Sequence, residues 1–194
     1  MRLLPPDRPD GDSPLVKTLT LLRHAKSGWD DPVARDFDRP LNAKGRRAAK
    51  AMGRHMRSLG LAFDHVVASP AARVVETIGE VAIGYGAPIA PAWDRRVYLA
   101  SSAMLLDVIR ETPADADRLL LIGHNPGLED LVLLLVPHDD GALRGAVEEK
   151  YPTATIAEMT FDIDDWADAA PARATLTRFV RPRDVDATLG PNRH

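Results

Sequence analysis

Two histidines follow apolar runs that have the length of buried strands. Arg23 and His24 come directly after the run 18–22, and His124 comes directly after the run 118–123. The carboxyl ends of parallel strands lie along one edge of an open α/β sheet, where such proteins hold their ligands. The pattern therefore predicts one pocket with two imidazoles, which are groups suited to nucleophilic attack and proton transfer.

A third short apolar run leads into a helix that carries an arginine. The run 66–68 is followed by Ser69 and Pro70, which predicts a helix with Ser69 as its cap and Pro70 in its first turn. Arg73 then falls one turn into the helix. Because this strand ends at the same edge of the sheet, we expect Arg73 to lie in the pocket of the histidines.

Arginine is the natural partner of a phosphoryl group, because its planar guanidinium pairs with two phosphate oxygens at once. Candidate clamps for phosphate are therefore Arg23, Arg39 and Arg73. The helix N-termini predicted after Ser69 and Asn125 should add partial positive charge at the same place. In this field the pKa of a neighbouring imidazole should fall, which would leave the imidazole neutral and able to attack phosphorus.

Short motifs follow one another in a fixed order along most of the chain. They occupy the segments 23–30, 36–45, 69–73, 96–101, 123–127 and 151–154. In type and order they resemble the histidine phosphatase superfamily, which has Arg-His-Gly after its first strand, Ser-Pro-x-x-Arg after its second and a late His before a helix. Within it they resemble the SixA-type phosphohistidine phosphatases, in which Ala25 in place of Gly is ordinary. Ordered matches are far more specific than any one dipeptide.

The resemblance implies a three-layer α/β/α sandwich with a mostly parallel central sheet and an antiparallel strand addition, as in phosphoglycerate mutase-like proteins. The catalytic residues that it implies are His24, Arg23, Arg73 and His124. His24 would take the phosphoryl group as a covalent phosphohistidine that water removes, while a protonated His124 donates to the phosphoryl oxygens. Substrate contacts are expected from Arg39, Ser27 and Asp36. No metal or cofactor is expected, because the arginines and His124 supply the charge that Mg²⁺ would bring.

This sequence differs from much of the superfamily in the group that is expected to protonate the leaving atom. Members that cleave phosphate esters use a carboxylic acid, commonly a Glu ahead of an Arg-x-Tyr-like segment, whereas the segment 96–98 here follows Arg95. The P–N bond of phosphohistidine is labile and its imidazole leaves more readily than an alkoxide, so the missing Glu favours a phosphoramidate substrate. Other proton donors stay open: Asp30, Asp36, Asp38 and Asp94. Asp36 is preferred among them, with orientation of Arg39 as its alternative role.

The expected function is therefore hydrolysis of phosphohistidine on a protein. The resemblance suggests a phosphotransfer domain or a carrier protein as the phosphorylated partner, with phosphate as the product. An open, shallow pocket would suit such a partner. The alternatives are a small-molecule phosphomonoesterase, a phosphoglycerate mutase and a non-catalytic phosphohistidine-binding module. A monomer is the simplest state for a pocket that must admit a protein.

Length and composition fit one α/β domain. The chain has 194 residues, 45% of them hydrophobic, and a formal net charge of -3, which argues against nucleic acid as a partner. It has no cysteine for thiol chemistry and no apolar stretch of membrane-spanning length, so a cytoplasmic location without a membrane partner is expected. The predicted boundaries are a flexible N-terminal extension at 1–17, the phosphatase domain at 18–182 and a loose tail at 183–194.

Periodic patterns predict the remaining elements. A helix is expected from Asn42, as its cap, to just before Gly60. Its buried stripe is predicted to be Ala48, Met52, Met56 and Leu59. Further elements are expected as helices at 102–110 and 128–135, and as an antiparallel strand pair at 155–161 and 174–180.

Overall fold

Strands and helices alternate through the described residues of this computed structural model, which are 16–28, 35–138 and 141–190. The strands are β1 (Val16–Arg23), β2 (His65–Ala68), β3 (Ala92–Trp93), β4 (Arg118–Gly123), β5 (Ile156–Asp162) and β6 (Ala174–Val180). The helices are α1 (Ala43–Ser58), α2 (Ala72–Tyr85), α3 (Ser102–Arg110), α4 (Gly127–Leu135), α5 (Gly141–Glu149) and α6 (Pro182–Val185). Among the described helices, none combines the length and apolarity that crossing a bilayer requires.

The strands form one six-stranded sheet in the order β3-β2-β4-β1-β5-β6. β1 is parallel to β4, β4 to β2 and β2 to β3, whereas β5 is antiparallel to β1 and β6 is antiparallel to β5. The predicted mostly parallel sheet with an antiparallel addition is therefore confirmed. In this order β1 lies between β4 and β5. Its carboxyl end therefore lies near the middle of the sheet edge at which the histidines are predicted.

Two apolar cores cover the two faces of the sheet. Alternate residues of β1 divide between them, since Leu19 and Leu21 belong to one core and Leu22 to the other. The first core is closed by α3, α4 and α5, and the second by α1, α2 and α6. The chain is thus a three-layer α/β/α sandwich, as the sequence predicts.

The first helix follows its sequence signals closely, with one exception. The side chain of Asn42 accepts a hydrogen bond from the amide of Gly45 at 2.8 Å and caps the helix as predicted. Gly53 lets α1 approach α2 backbone to backbone, because a Cβ at this position would overlap the carbonyl oxygen of Val81. Leu59 was expected in the buried stripe, but it lies at the C-cap and is 38% exposed. That prediction was wrong because the helix ends one residue earlier.

The start of the second helix differs from the prediction. α2 begins at Ala72, and its N-cap is Ala71 rather than Ser69. The hydroxyl of Ser69 accepts a hydrogen bond from the amide of Ala71 at 3.3 Å and lies 2.8 Å from the Nε2 atom of His124. The serine therefore contacts the histidine instead of capping the helix, and Arg73 lies within the first turn instead of one turn in.

Both predicted boundaries of the domain need correction. β1 begins at Val16, and the buried ammonium of Lys17 donates to the carbonyl of Ala114 at 2.7 Å, so the folded part starts before residue 18. At the other end, Pro182 is buried and α6 packs against α1, which contradicts a loose tail directly after residue 182. The amide of Arg181 donates to the carboxylate of Asp184 at 2.9 Å and holds this short helix. The parts of both segments at 1–15 and 191–194 lie outside the described residues.

Candidate active site

The two histidines leave the sheet from neighbouring strand ends. Arg23, the last residue of β1, pairs in register with Gly123, the last residue of β4. The amide of His24 donates to the carbonyl of Gly123 at 3.0 Å. The ring centroids of His24 and His124 consequently lie 5.1 Å apart. The structure therefore brings the two imidazoles together, as the strand pattern predicts.

Both imidazoles are buried, which differs from the open pocket that the sequence predicts. The exposed fraction is 7% for His24 and 3% for His124. The ring of Tyr98 packs edge-on against His124 at 5.3 Å, and Phe37 packs edge-on against Tyr98 at 5.0 Å. These two aromatic side chains come from turns that the apolar pattern did not reveal. A shallow, open pocket is therefore the wrong description of the described residues.

The hydrogen bonds of His24 define which ring nitrogen carries a lone pair. Its Nδ1 atom lies 2.7 Å from the carbonyl oxygen of Ala25, so Nδ1 carries the proton and donates it. Its Nε2 atom lies 3.3 Å from the Nε atom of Arg73, and a guanidinium can only donate. Nε2 is therefore an unprotonated acceptor. This tautomer is the one that an imidazole nucleophile needs.

His124 is held in the neutral form as well. Its Nδ1 atom accepts from the Nη2 atom of Arg73 at 3.2 Å, so the ring proton is on Nε2 and points to the hydroxyl of Ser69 at 2.8 Å. A protonated His124 would place a second N–H against the guanidinium. These hydrogen bonds therefore fit a neutral His124 and not the expected cationic one.

Burial is the first cause of the low pKa of both imidazoles. Burial, together with the charges of Arg73, Arg23 and Arg39 and against the hydrogen bond to Ala25, lowers the pKa of His24 to about 4. Burial also lowers the pKa of His124 to about 3, with His24 and Arg73 as the next causes. The pKa of His24 is lowered, as the sequence predicts, but burial is a larger cause of this shift than the charges of the arginines.

Arg73 lies at the centre of the cluster and is almost fully buried. Besides its bonds to both histidines, it donates from Nη1 to the carbonyl of Asp36 at 2.6 Å and from Nη2 to the carboxylate of Asp36 at 3.1 Å. Its position in the first turn of α2 fixes its backbone, and Val74 beside it is buried in the core. The predicted convergence of Arg73 with the histidines is therefore what the structure shows.

The carboxylate of Asp36 links the arginines to an aromatic hydroxyl. It accepts from the Nε atom of Arg39 at 3.0 Å and from the hydroxyl of Tyr98 at 2.6 Å. Burial raises the pKa of Asp36, but the hydrogen bonds from Tyr98, Arg39 and Arg73 and the charge of Arg73 outweigh it and hold the pKa at about 2. Asp36 is therefore ionised and orients the arginines, which matches its predicted alternative role of orienting Arg39 and not that of a proton donor.

Tyr98 is a member of this cluster that sequence reasoning did not assign. The sequence motif 96–98 points only to the residue before it, Arg95, and assigns no role to its tyrosine. The contacts of Tyr98 with Asp36 and His124 depend on a turn that no periodic pattern announces.

The other carboxyl groups proposed as proton donors are placed differently. Asp94 accepts from the guanidinium and the amide of Arg96, and these bonds lower the pKa of Asp94 against the effect of burial. The other partner of Arg96 is Glu111. Asp38 lies in the same short 3-10 turn as Asp36. Asp30 lies outside the described residues. Neither Asp36 nor Asp94 is therefore a protonated acid in this structure.

The remaining predicted residues surround the cluster. Arg23 donates from Nη1 to the carbonyl of Tyr151 at 2.6 Å, and its charge reaches both histidines. Arg39 pairs with Asp36 at 2.8 Å. Ser27 forms an isolated bridge with Leu41 on the loop before α1, so its contact with a substrate stays a prediction. Within the described residues, no group of three or more His, Cys, Asp or Glu side chains could hold a metal ion.

The neutral, buried His24 makes the stability of the fold depend on pH. The pKa of His24 is about 4 in the folded protein and near its ordinary value of 6.5 after unfolding, so the unfolded chain binds more protons between these values. The stabilisation of the fold that comes from the neutral imidazole of His24 is complete above pH 6.5 and is lost as the pH falls towards 4. Between about pH 7 and about pH 5, the free energy of unfolding measured with urea should fall by about 2 kcal/mol less in His24→Asn than in the wild type. An equal loss in the variant and the wild type would contradict a buried neutral imidazole.

Comparisons with known proteins agree with this geometry. Residues 19–94 match the family model of the histidine phosphatase superfamily (branch 1). An uncharacterised protein of Mycobacterium tuberculosis is 34% identical over 165 residues, which cover 84% of this chain and 100% of that protein.

Solved structures give the same result. A candidate phosphohistidine phosphatase SixA from Nakamurella multipartitia is 31% identical, covers 90% of this chain and 99% of its own, and superimposes with a TM-score of 0.75. A second candidate SixA, from Agrobacterium tumefaciens, is 26% identical, covers 86% of this chain and 98% of its own, and has a TM-score of 0.72. The chain, with its paired strand-end histidines and the arginine between them, therefore belongs to the histidine phosphatase superfamily and is a SixA-like phosphatase.

Proposed function

We propose that this phosphatase hydrolyses phosphohistidine on a protein, with His24 as the nucleophile. The observation that carries the choice of substrate is the state of the two candidate acids, since Asp36 and Asp94 are both paired with arginines and have lowered pKa values. An alkoxide leaving group needs a proton from such an acid, whereas a phosphohistidine ring that is protonated on its other nitrogen leaves as neutral imidazole and needs no acid from the enzyme. The described part of the site therefore suits P–N cleavage better than P–O cleavage.

The reaction proceeds in two displacements. The lone pair on Nε2 of His24 forms a bond to phosphorus while the P–N bond of the substrate breaks, and the electron pair of that bond returns to the substrate ring, which carries a proton on its other nitrogen and leaves as neutral imidazole. Water then attacks the phosphorus of phosphorylated His24 and the new P–N bond breaks. His24 is released as the neutral imidazole with its proton on Nδ1, and both protons of the water leave with the phosphate as dihydrogen phosphate. The hydrogen bond from Nδ1 of His24 to Ala25 keeps Nε2 directed to the phosphoryl group in both steps.

The phosphoryl group takes the place that the Asp36 carboxylate holds between the two arginines. Arg73 and Arg39 both donate to this carboxylate, so they are already arranged around an anion. Arg23 and Arg73 then stabilise the charge of the transition state. A bound phosphoryl group would also raise the pKa of His124, which allows His124 to donate to a phosphoryl oxygen as the resemblance implies.

The phosphorylated partner in this proposal is a phosphotransfer domain or a carrier protein in the cytoplasm. Support for a protein substrate comes from the likeness to SixA-type proteins and from the chemistry of phosphohistidine, which is a modification of proteins. No metal ion takes part in the proposed steps, because arginine side chains supply the positive charge.

The experiment compares phosphate release from a phosphohistidine-bearing protein and from an aryl phosphomonoester. We expect kcat/KM to favour phosphohistidine by at least about 100-fold, the lower end of the contribution of a general acid. Asp94→Asn should leave both rates within about twofold, because Asp94 only pairs with Arg96. Asp107→Asn, at an exposed position of α3, is the matched control.

A preference for the monoester would overturn this proposal. If Asp94→Asn or Asp36→Asn then abolished monoester hydrolysis, the protein would be the small-molecule phosphomonoesterase that the sequence left as an alternative. Equal loss of both activities in Asp94→Asn would show instead that Asp94 supports the structure of the site.

A further inference from the structure

A basic groove lies beside the histidine cluster, outside the site described above. It has a volume of about 320 Å³ and runs between the end of β1, the start of α1, the loop before β5 and α6. Its cationic side chains are Arg23, Lys26, Lys44, Lys150, Arg181 and Arg183. No acidic side chain is among the described residues that line it.

The positive charge of this groove is only partly compensated. Arg181 pairs with Asp184 at 2.9 Å, and the charges of Glu129 and Glu149 reach Arg23 and Arg181. None of these three acids lines the groove, whose described lining has six cationic side chains, in a chain whose net charge is -3. The groove is a local exception to the charge of the whole protein, and it should attract an anion.

Part of the groove lining is apolar. Its uncharged lining includes Ala48, Pro152, Pro182 and Leu189. A bare polyanion such as nucleic acid or polyphosphate gains nothing from these side chains, and the net negative charge of the protein would repel the rest of a long polyanion. An acidic protein segment with some apolar side chains complements both the charge and the apolar part of the lining.

The groove is continuous with the catalytic cluster through Arg23. The guanidinium of Arg23 lines the groove, while its charge lowers the pKa of both histidines. Lys26, which also lines the groove, follows His24 by two residues. An occupant of the groove therefore lies next to the phosphoryl group that His24 attacks.

We propose that this groove binds an acidic, partly apolar segment of the same protein that carries the phosphohistidine. The inference rests on the phosphohistidine phosphatase function proposed above and adds the property by which the substrate is selected. Charge complementarity of this kind mainly sets the rate and selectivity of association, so it should act on KM for the protein and not on the chemical step.

The test uses charge reversal at two exposed groove residues, Lys150→Glu with Arg183→Glu, and a short fluorescein-labelled peptide of Glu, Ala and Leu. We expect fluorescence anisotropy at low salt to show binding to the wild type and at least about tenfold weaker binding to the double variant. Added salt should weaken binding to the wild type more than binding to the variant. The matched control is Arg57→Glu with Arg173→Glu, which makes the same charge change at exposed positions in the last turn of α1 and before β6.

Each outcome decides the proposal. Failure of the wild type to bind the peptide, equal loss in the control variant, or equally tight binding of a single-stranded oligonucleotide would overturn it. For catalysis, kcat/KM for the phosphohistidine protein should fall at least about tenfold in the groove variant and stay within about twofold for free phosphohistidine. If the wild type hydrolysed neither phosphohistidine substrate, the proposed function would fail, while peptide binding would still show separately whether the groove takes an acidic segment.

Discussion

His24→Asn should lower kcat for phosphohistidine hydrolysis by at least about 10⁴-fold, the scale seen when a nucleophile is removed. Nε2 is the ring nitrogen with the free lone pair, and it faces the guanidinium of Arg73. The amide of asparagine can still donate to the carbonyl of Ala25, as Nδ1 of His24 does. The variant therefore removes the nucleophilic nitrogen while it keeps the local hydrogen bond. Single-turnover assays with radiolabelled phosphoprotein would measure the loss.

The same assay can detect the covalent intermediate. A phosphorylated enzyme that is labile to acid and stable to alkali should accumulate transiently in the wild type and be absent in His24→Asn. His55→Asn is the matched control, because His55 lies on α1 away from the strand ends and should keep full activity. Residual activity of His24→Asn within about 100-fold of the wild type would show that water attacks the substrate directly.

The convergence of the site could be predicted from the sequence because strand ends in a parallel sheet have a fixed relation. The register of Arg23 with Gly123 follows from two apolar runs of similar length, and it places His24 beside His124. The ionisation states could not be predicted in the same way. Whether His124 is neutral depends on the direction from which Arg73 reaches it, and this is a property of tertiary packing.

The turn at Asp36–Asp38 shows a second limit of sequence reasoning. The loop carries several aspartates, and nothing in their spacing tells which one faces the arginines or that Tyr98 donates to it. In the structure Asp36 contacts Arg73, Arg39 and Tyr98 at once, because the turn packs against the start of α2. The choice between proton donor and orienting anion therefore needed coordinates.

Elements with weak periodicity were missed for a related reason. α5 buries only Arg144 and Val147, so it has no apolar stripe to read. β3 consists of Ala92 and Trp93 alone, and two residues are too few to show alternation. By contrast, α3 has the bounds that the sequence predicts, Ser102–Arg110, and the structure shows that Ser101 caps it and that it buries Leu105, Leu106, Val108 and Ile109. Local signals were sufficient only where the cap and the periodicity pointed to the same bounds.

Arg73→Lys should lower kcat by about 10³-fold although it keeps the positive charge, which is the lower range for an arginine that stabilises phosphoryl transfer. The guanidinium of Arg73 contacts His24, His124 and Asp36 through three different nitrogens. A single ammonium group cannot reach these three positions together. Steady-state kinetics with the phosphohistidine protein would measure the effect, and circular dichroism would check that the variant is folded.

Arg96→Lys is the matched control for this substitution. Arg96 also forms paired hydrogen bonds, to Asp94 and Glu111, but on the exposed surface, so its replacement should change kcat by less than about twofold. Comparison with Arg73→Gln then separates charge from geometry. If the fork of Arg73 is what stabilises the transition state, the lysine and glutamine variants should be similarly impaired. A lysine variant that kept more than about a tenth of the wild-type kcat would show that a point charge between the histidines is sufficient.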